Sequence, residues 1–339
     1  MSFLSHGITV RALFRAVHSR RGKVMSAYKP PRSIVTANSG QMNPKGQLHK
    51  VQQKMGWTFI ACALIIIGLF VFIPAIDALY LSFTNASGFN KPSFVGLENY
   101  QKIFTDPDIG AAFGHTALYT LFYVPLILVA SLGVALLLNR KDLPFRSFFR
   151  SAIFLPFVIS MAVASITWKF LLDPNLGFLP YWLSKLEIHM GDVLSNPGSA
   201  MAVVIFVGVW KNFGYFMVIF LAGLQSVSSE LYEAAELDGA GPWRKFTAVT
   251  LPGLQSTTTY VIIMVLIQAL QVFDQIYVMT AGGPDHSTET VVYRIYTEGF
   301  KDFNQGLSSA ISYLLLLVTL VIGLVQLWFN AKHEREELQ

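Results

Sequence analysis

Cysteine is almost absent. Cys62 is the only one in 339 residues, which excludes an internal disulfide and a thiolate metal centre. Histidine is sparse: His6, His18, His49, His115, His189, His286 and His333 stand apart, with no HExxH and no paired-ligand spacing, so no metal site is expected. Charge is low too, at 13% of residues against about 25% in a soluble domain. That is too little to cover a water-facing surface. No GxxxxGK[ST] loop is present, so this chain is not expected to hydrolyse ATP itself. Span-level clusters of acids, or a nucleophile beside a base, are also missing, which argues against a membrane-embedded enzyme. Near the start, Thr9–Val17 is interrupted by Arg11 and Arg15, leaving no apolar core for a signal peptide.

What the chain has in quantity is apolar sequence. Hydrophobic residues make up 53%, with 27 Phe, gathered into runs of about twenty, the length that crosses a hydrocarbon layer as helix. Backbone polar groups in lipid must be satisfied within the segment, so these runs are read as helices. Six spans are expected at 57–82, 115–138, 150–172, 200–224, 257–280 and 307–330, with kinks at Pro74, Pro125 and Pro156. The domain reading is a flexible basic tail over 1–54, a six-span domain over 55–332 and a short C-tail over 333–339. Met25 and Met42 stand as alternative starts. With the N-terminus inside, 18 of the 25 Lys and Arg fall in inside segments, five (Lys91, Lys102, Lys185, Arg294, Lys301) outside, and Lys169 and Lys211 within spans. The bias places both termini in the cytoplasm. The net charge of +5 follows from that bias and is not read as nucleic-acid binding. Phe94, Leu97, Tyr100, Ile103 and Phe104 form either a short helix on the outer interface or a packed loop with aromatic anchors.

The inside segment between the fourth and fifth spans runs from Glu230 to Phe246 and on to Thr250-Leu251-Pro252. Leu231, Ala234 and Ala235 give an apolar stripe at helical spacing. Asp238-Gly239 breaks the helix, since Gly takes the positive φ that turns a helix end, and Pro242 suits the first turn of a second. A helix–turn–helix projecting into the cytoplasm is expected, with small Ala234 and Ala235 allowing close approach and Glu233 offering a directed charge. On pattern alone it could equally be an ordinary connector.

Glu233-Ala234-Ala235, then Gly239, nine residues, and Val249-Thr250-Leu251-Pro252 resemble the EAA loop of binding-protein-dependent ATP-binding-cassette permeases, with Val in place of Ile. Phe94–Tyr100, Leu221–Gln225, Phe273–Tyr277 and Met279–Pro284 resemble the sugar branch of that family, relatives of the maltose and glycerol-3-phosphate permeases. The resemblance covers roughly 57–332. Val227-Ser228 departs from the usual Ile-Pro, and Leu179-Pro180-Tyr181 stands where Asn is often found. The resemblance implies an all-α integral membrane protein of the type I importer permease kind. In it Glu233, Ala234, Ala235, Asp238 and Gly239 would contact a cytoplasmic ATPase. It further implies a second homologous permease, two ATP-binding subunits that carry the ATP, an extracytoplasmic solute-binding protein, and residence among the lipids of a bacterial cytoplasmic membrane. This chain needs no cofactor of its own.

Polar residues inside spans face a cavity or a neighbouring helix. Residues 208, 211, 212 and 215 share one helical face, as do 265, 268, 269 and 272. Resemblance to the maltose permease points to these faces as the solute path, and Lys211, Asn212, Tyr215, Gln268 and Gln271 are the candidates. Interhelical hydrogen bonding is the competing role. Lys211 needs an acid partner or an anionic solute. Asp274 is read either as that acid or as a cap near the outer end. Lys169 is expected to snorkel. A secondary transporter or channel is the alternative function, but no internal repeat is evident.

Overall fold

The computed structural model describes residues 56–57, 60–89, 91–140, 142–188 and 190–337, with side chains as far as Trp328. The tail reading over 1–54 lies outside these residues. The chain divides into two units, Met1–Ile66 and Ile67–Gln339. In the first, the described stretch from Ile60 is helical. The second holds α1 (Ile73–Ser82), α2 (Glu98–Thr105), α3 (Pro107–Asn139), α4 (Arg146–Val158), α5 (Met161–Leu171), α6 (Phe178–Lys185), α7 (Pro197–Ser226), α8 (Ser229–Leu237), α9 (Pro242–Gly253), α10 (Gln255–Leu270), α11 (Val291–Tyr296) and α12 (Gln305–Glu337). Among the described residues the only β pairing is an isolated bridge between Thr84 and Phe94.

Among the described residues, four helices are long and apolar enough to cross a membrane: Ile60–Ser82, α3, α7 and Gln305–Trp328. The pairs α4–α5 and α9–α10, bent by 97° and 69°, raise the number to six if each counts as one span. The expected span over 150–172 is therefore broken rather than merely kinked. Pro156 lies within α4, but the break falls at Ile159 and Ser160, both extended, and the Ser160 hydroxyl accepts from the Val163 amide to start α5. The expected span over 257–280 ends at Leu270. Beyond it the Val272 carbonyl accepts from the Thr290 hydroxyl at 3.1 Å, and helix resumes at Asp274, running into the π-helical turn Ile276–Thr280. Pro125 sits inside an unbroken α3, and Pro74 follows a π-helical turn at Gly68–Phe72.

The main core lies between α3, α7 and α10, where Tyr119, Ile127, Phe216, Phe220, Val261 and Val265 are buried together. α4 joins it through a close approach: a Cβ on Gly214 would stand 2.1 Å from the Ile153 carbonyl oxygen. A second core gathers Ile103, Ile109, Val291, Leu307 and Ile311 from α2, α3, α11 and α12. α2 is a helix, and it is packed rather than afloat. Asn99 donates to the Ser82 and Thr84 carbonyls at 2.9 and 2.8 Å. α12 continues as helix to Glu337, past the 332 boundary read from sequence.

Candidate translocation face and coupling element

α7 carries the polar face. Lys211 is 8% exposed, and its ammonium donates to the Phe157 carbonyl of α4 at 3.3 Å, 4.9 Å from the Phe157 ring centroid. Phe157 in turn stacks on Tyr215 at 4.5 Å. Asn212 donates to the Tyr123 hydroxyl of α3 at 2.9 Å. One turn back, Gln275 donates to the Tyr119 hydroxyl at 2.6 Å across Gly208, where a Cβ would stand 2.6 Å from that oxygen. Lys211, Asn212 and Tyr215 thus lie on one side of α7, engaged with α3 and α4. Asp274 makes no ion pair with Lys211 among the described residues. Gln268 of α10 is half-buried and Gln271, at its end, is exposed; neither side chain has a hydrogen-bond partner among the described residues. Sequence reasoning passed over Tyr119, Tyr123 and Phe157. Two tyrosines one helical turn apart inside an apolar span, each with a hydroxyl to satisfy, were the available signal. Lys169 donates to the Val278 carbonyl at 3.4 Å, tying α5 to the π-helical turn.

At the other site, α8 starts on the Ser228 hydroxyl, which accepts from the Glu230 amide at 3.3 Å. It ends where Gly239 takes φ +74, with the Ala240 amide bonded to the Ala235 carbonyl at 2.9 Å. α9 then begins at Pro242. Lys245 and Glu236 pair at 2.9 Å across the turn, and Tyr232 meets the Thr250 hydroxyl at 3.0 Å. The Lys245 hydrogen bond, with its charge, holds the Glu236 carboxyl below the usual range. Glu233, Ala234, Asp238 and Gly239 are exposed and Ala235 half-buried, while Leu237 and Trp243 stand 90% and 75% exposed. Leu237 and Trp243 were not singled out from sequence.

A third polar cluster was not anticipated. Arg294 of α11 is bonded to Glu298 at 2.9 Å and Glu289 at 3.4 Å, with Asp106 at 3.9 Å. Glu289 also meets His286 at 2.5 Å, and its backbone carbonyl lies 3.1 Å from His115. Burial opposes the charge on Arg294, but the surrounding carboxylates outweigh it and raise its pKa. For Glu298 burial dominates and raises the pKa despite Arg294. The two shifts weigh the same contact differently. The 2.9 Å geometry favours a charged pair, and burial, with a smaller push from Asp302 and Asp106, accounts for the rise at Glu298.

Bent apolar helices, a polar face inside the bundle and a helix–turn–helix outside it define the class of a multi-spanning transport permease. The chain belongs to the family described as the binding-protein-dependent transport system inner membrane component, which matches residues 112–335. It is 35% identical over 280 residues to a probable ABC transporter permease protein of Pyrococcus horikoshii, covering 81% of this chain and 95% of that one. It is 36% identical over 269 residues to an sn-glycerol-3-phosphate transport system permease protein of Yersinia pestis, covering 79% and 90%. Its fold resembles that of a bacterial ABC transporter involved in the import of the acidic polysaccharide alginate, with TM-score 0.75 at 21% identity over 84% of this chain and 99% of that one. A second structure, of an alginate transporter with a pentasaccharide-bound periplasmic protein, has TM-score 0.73 at 21% identity, covering 81% and 93%. These relatives are transport permeases, not enzymes, and so is this chain.

Proposed function

We propose that the chain is one of two permease subunits lining the path of an ABC importer for a carbohydrate or phosphorylated polyol. It lies in the bacterial cytoplasmic membrane with both termini inside. A cytoplasmic ATP-binding subunit docks on α8 and the turn after it through Glu233, Ala234, Ala235, Asp238 and Gly239. A second copy of that subunit serves the partner permease, and an extracytoplasmic solute-binding protein delivers the solute. The observation that carries this reading is the cytoplasmic helix–turn–helix itself. It is braced by the Glu236–Lys245 pair yet leaves Leu237 and Trp243 bare, as expected of a surface that is covered by a partner. Support for the solute class comes from the named relatives and from the half-free amides of the inner face, which suit hydroxyl-rich rings.

Motion of the ATPase pair would then be transmitted through α8 and α9 to α10, the second half of the bent pair. The test is uptake of labelled glycerol 3-phosphate, maltose and an alginate oligosaccharide by cells carrying the full system. Glu233→Lys and Gly239→Pro are compared with the parent at matched membrane amounts. The reading expects one solute to be imported and both variants to abolish its uptake. Uptake that survives both changes would point to an ATP-independent carrier instead.

A further inference from the structure

We infer that Lys211 is a latch on the broken third span, released by the solute. The inference rests on the transport reading above and concerns regulation of the same inner face. α4 ends at Val158, and Ile159 (φ −73, ψ 142) and Ser160 (φ −63, ψ 147) leave the helix before α5 departs at 97°. The last four carbonyls of a helix have no intrahelical partner, and the Phe157 carbonyl is one of them. Where such a group is turned away from bulk water it must be satisfied from elsewhere. Lys211 satisfies it, at 3.3 Å, and brings a positive charge to the negative end of α4.

The rest of the surroundings fix α4 and leave the ammonium under-used. Gly214 admits the Ile153 carbonyl to the surface of α7, and Phe157 is held in its stack with Tyr215. α4 is therefore clamped to α7, and the joint at Ile159–Ser160 is where α5 can turn. An ammonium has three donors. Among the described residues, Lys211 has one carbonyl acceptor, one ring face and no carboxylate within ion-pair distance. Solute hydroxyls, carboxylates or phosphates arriving beside Asn212 and Tyr215 offer more acceptors than the single carbonyl. Lys211 then turns to the solute, the end of α4 loses its cap, and the joint loosens. Lys211 thereby acts as a positioning residue in the empty path and as a contact in the filled one.

The test reads the joint directly in the assembled importer in membranes. With Cys62→Ser as background, Ile159→Cys reports at the joint and Ser184→Cys, on α6, reports that the fold is intact. Maleimide labelling is followed without solute and with a saturating amount of whichever carbohydrate the parent imports. Without solute, Lys211→Met is expected to label at Ile159→Cys at least about threefold faster than the parent, and Lys211→Arg at close to the parental rate. Ser184→Cys should label equally in all three. With solute, the parent should rise to the Lys211→Met rate and Lys211→Met should not change. A parental rate for Lys211→Met without solute overturns the latch, as does a change at Ser184→Cys of the same size. A parent indifferent to an imported solute overturns the release. If no carbohydrate is imported, the transport reading and the release fall together, and the solute-free comparison still decides the latch.

Discussion

Asn212 poses the sharpest question at the scale of single residues, because its amide is already spoken for by Tyr123. A residue that holds α7 to α3 and a residue that holds solute are expected to fail differently. Interhelical hydrogen bonds in membranes contribute on average about 0.6 kcal/mol and up to about 1.7. Tyr123→Phe removes the acceptor while leaving the amide free for solute. The expected outcome is a modest fall in thermal stability in detergent with the KM for uptake unchanged. Asn212→Leu should show the same fall together with a raised KM. Equal effects of the two on KM would make Asn212 interhelical only. Gly214 gives a cleaner packing prediction. Gly214→Val places side-chain atoms against the Ile153 carbonyl, where even a Cβ stands at 2.1 Å, and overpacking of this kind costs roughly 1–3 kcal/mol. A lowered melting temperature checks it; an unchanged one would mean α4 is free to move away.

At the scale of the element, α8, its turn and α9 form a self-supporting unit. Gly239 at φ +74 has nothing within 4 Å of its missing Cβ, so its requirement is conformational and not a matter of space. Gly239→Val is therefore expected to strain the turn by about 1–2 kcal/mol without touching membrane insertion, and to lower uptake more than Gly239→Asn, which tolerates that region. The Glu236–Lys245 pair has a definite pH sign. Its carboxyl is held below the ordinary value by the Lys245 bond. The pair's support is therefore present above the unfolded value of about 4.3 and lost as pH falls through the lower folded one. Hydrogen exchange of the Ala240 amide should be insensitive to pair protonation near neutrality and should show extra opening only in acid. Glu236→Gln should remove that acid step.

Much of this element was legible in sequence because its signals are local. The Ala-rich stripe, Asp238-Gly239 and Pro242 each act within a turn or two of themselves. The long apolar runs were legible for the same reason. The breaks at 159–160 and 271–273 were not. Ser160 interrupts only because its hydroxyl finds the Val163 amide, and Val272 leaves the helix with its carbonyl held by Thr290, distant in sequence. Of the inner face, Lys211, Asn212 and Tyr215 stood out as polar residues in an apolar run. Of their partners, Tyr123 carried only the signal of a hydroxyl one turn from that of Tyr119, and Phe157 carried none, since nothing local distinguishes a phenylalanine in the core from one at a path.

At the scale of the whole molecule, the cluster around Arg294 joins the start of α3 to α11, in the loop region that the Lys and Arg bias places outside. One guanidinium faces Glu289, Glu298 and Asp106, with Glu289 and Glu298 only 3% and 6% exposed. Removing the cation leaves buried carboxylates without compensation, a loss of about 3–5 kcal/mol, so Arg294→Met should fail to accumulate in membranes. Glu298→Gln should be tolerated. The Glu298 pKa is raised, chiefly by burial, so its contribution is full below the unfolded value and declines as pH rises through the folded one. Glu298→Gln should accordingly remove its share of any loss of stability seen as pH rises above the ordinary carboxyl range, read as melting temperature against pH. The same arrangement tests the topology. If both termini are cytoplasmic, Asp285→Cys in a Cys62→Ser background reacts with an impermeant maleimide in intact cells, while a cysteine at Leu237 reacts only after the membrane is opened. A green fluorescent protein joined after Gln339 should fluoresce, and an alkaline phosphatase there should stay inactive. Labelling of Leu237→Cys in intact cells would invert the chain, put α8 beyond the reach of a cytoplasmic ATPase, and leave the Arg294 cluster facing the inside.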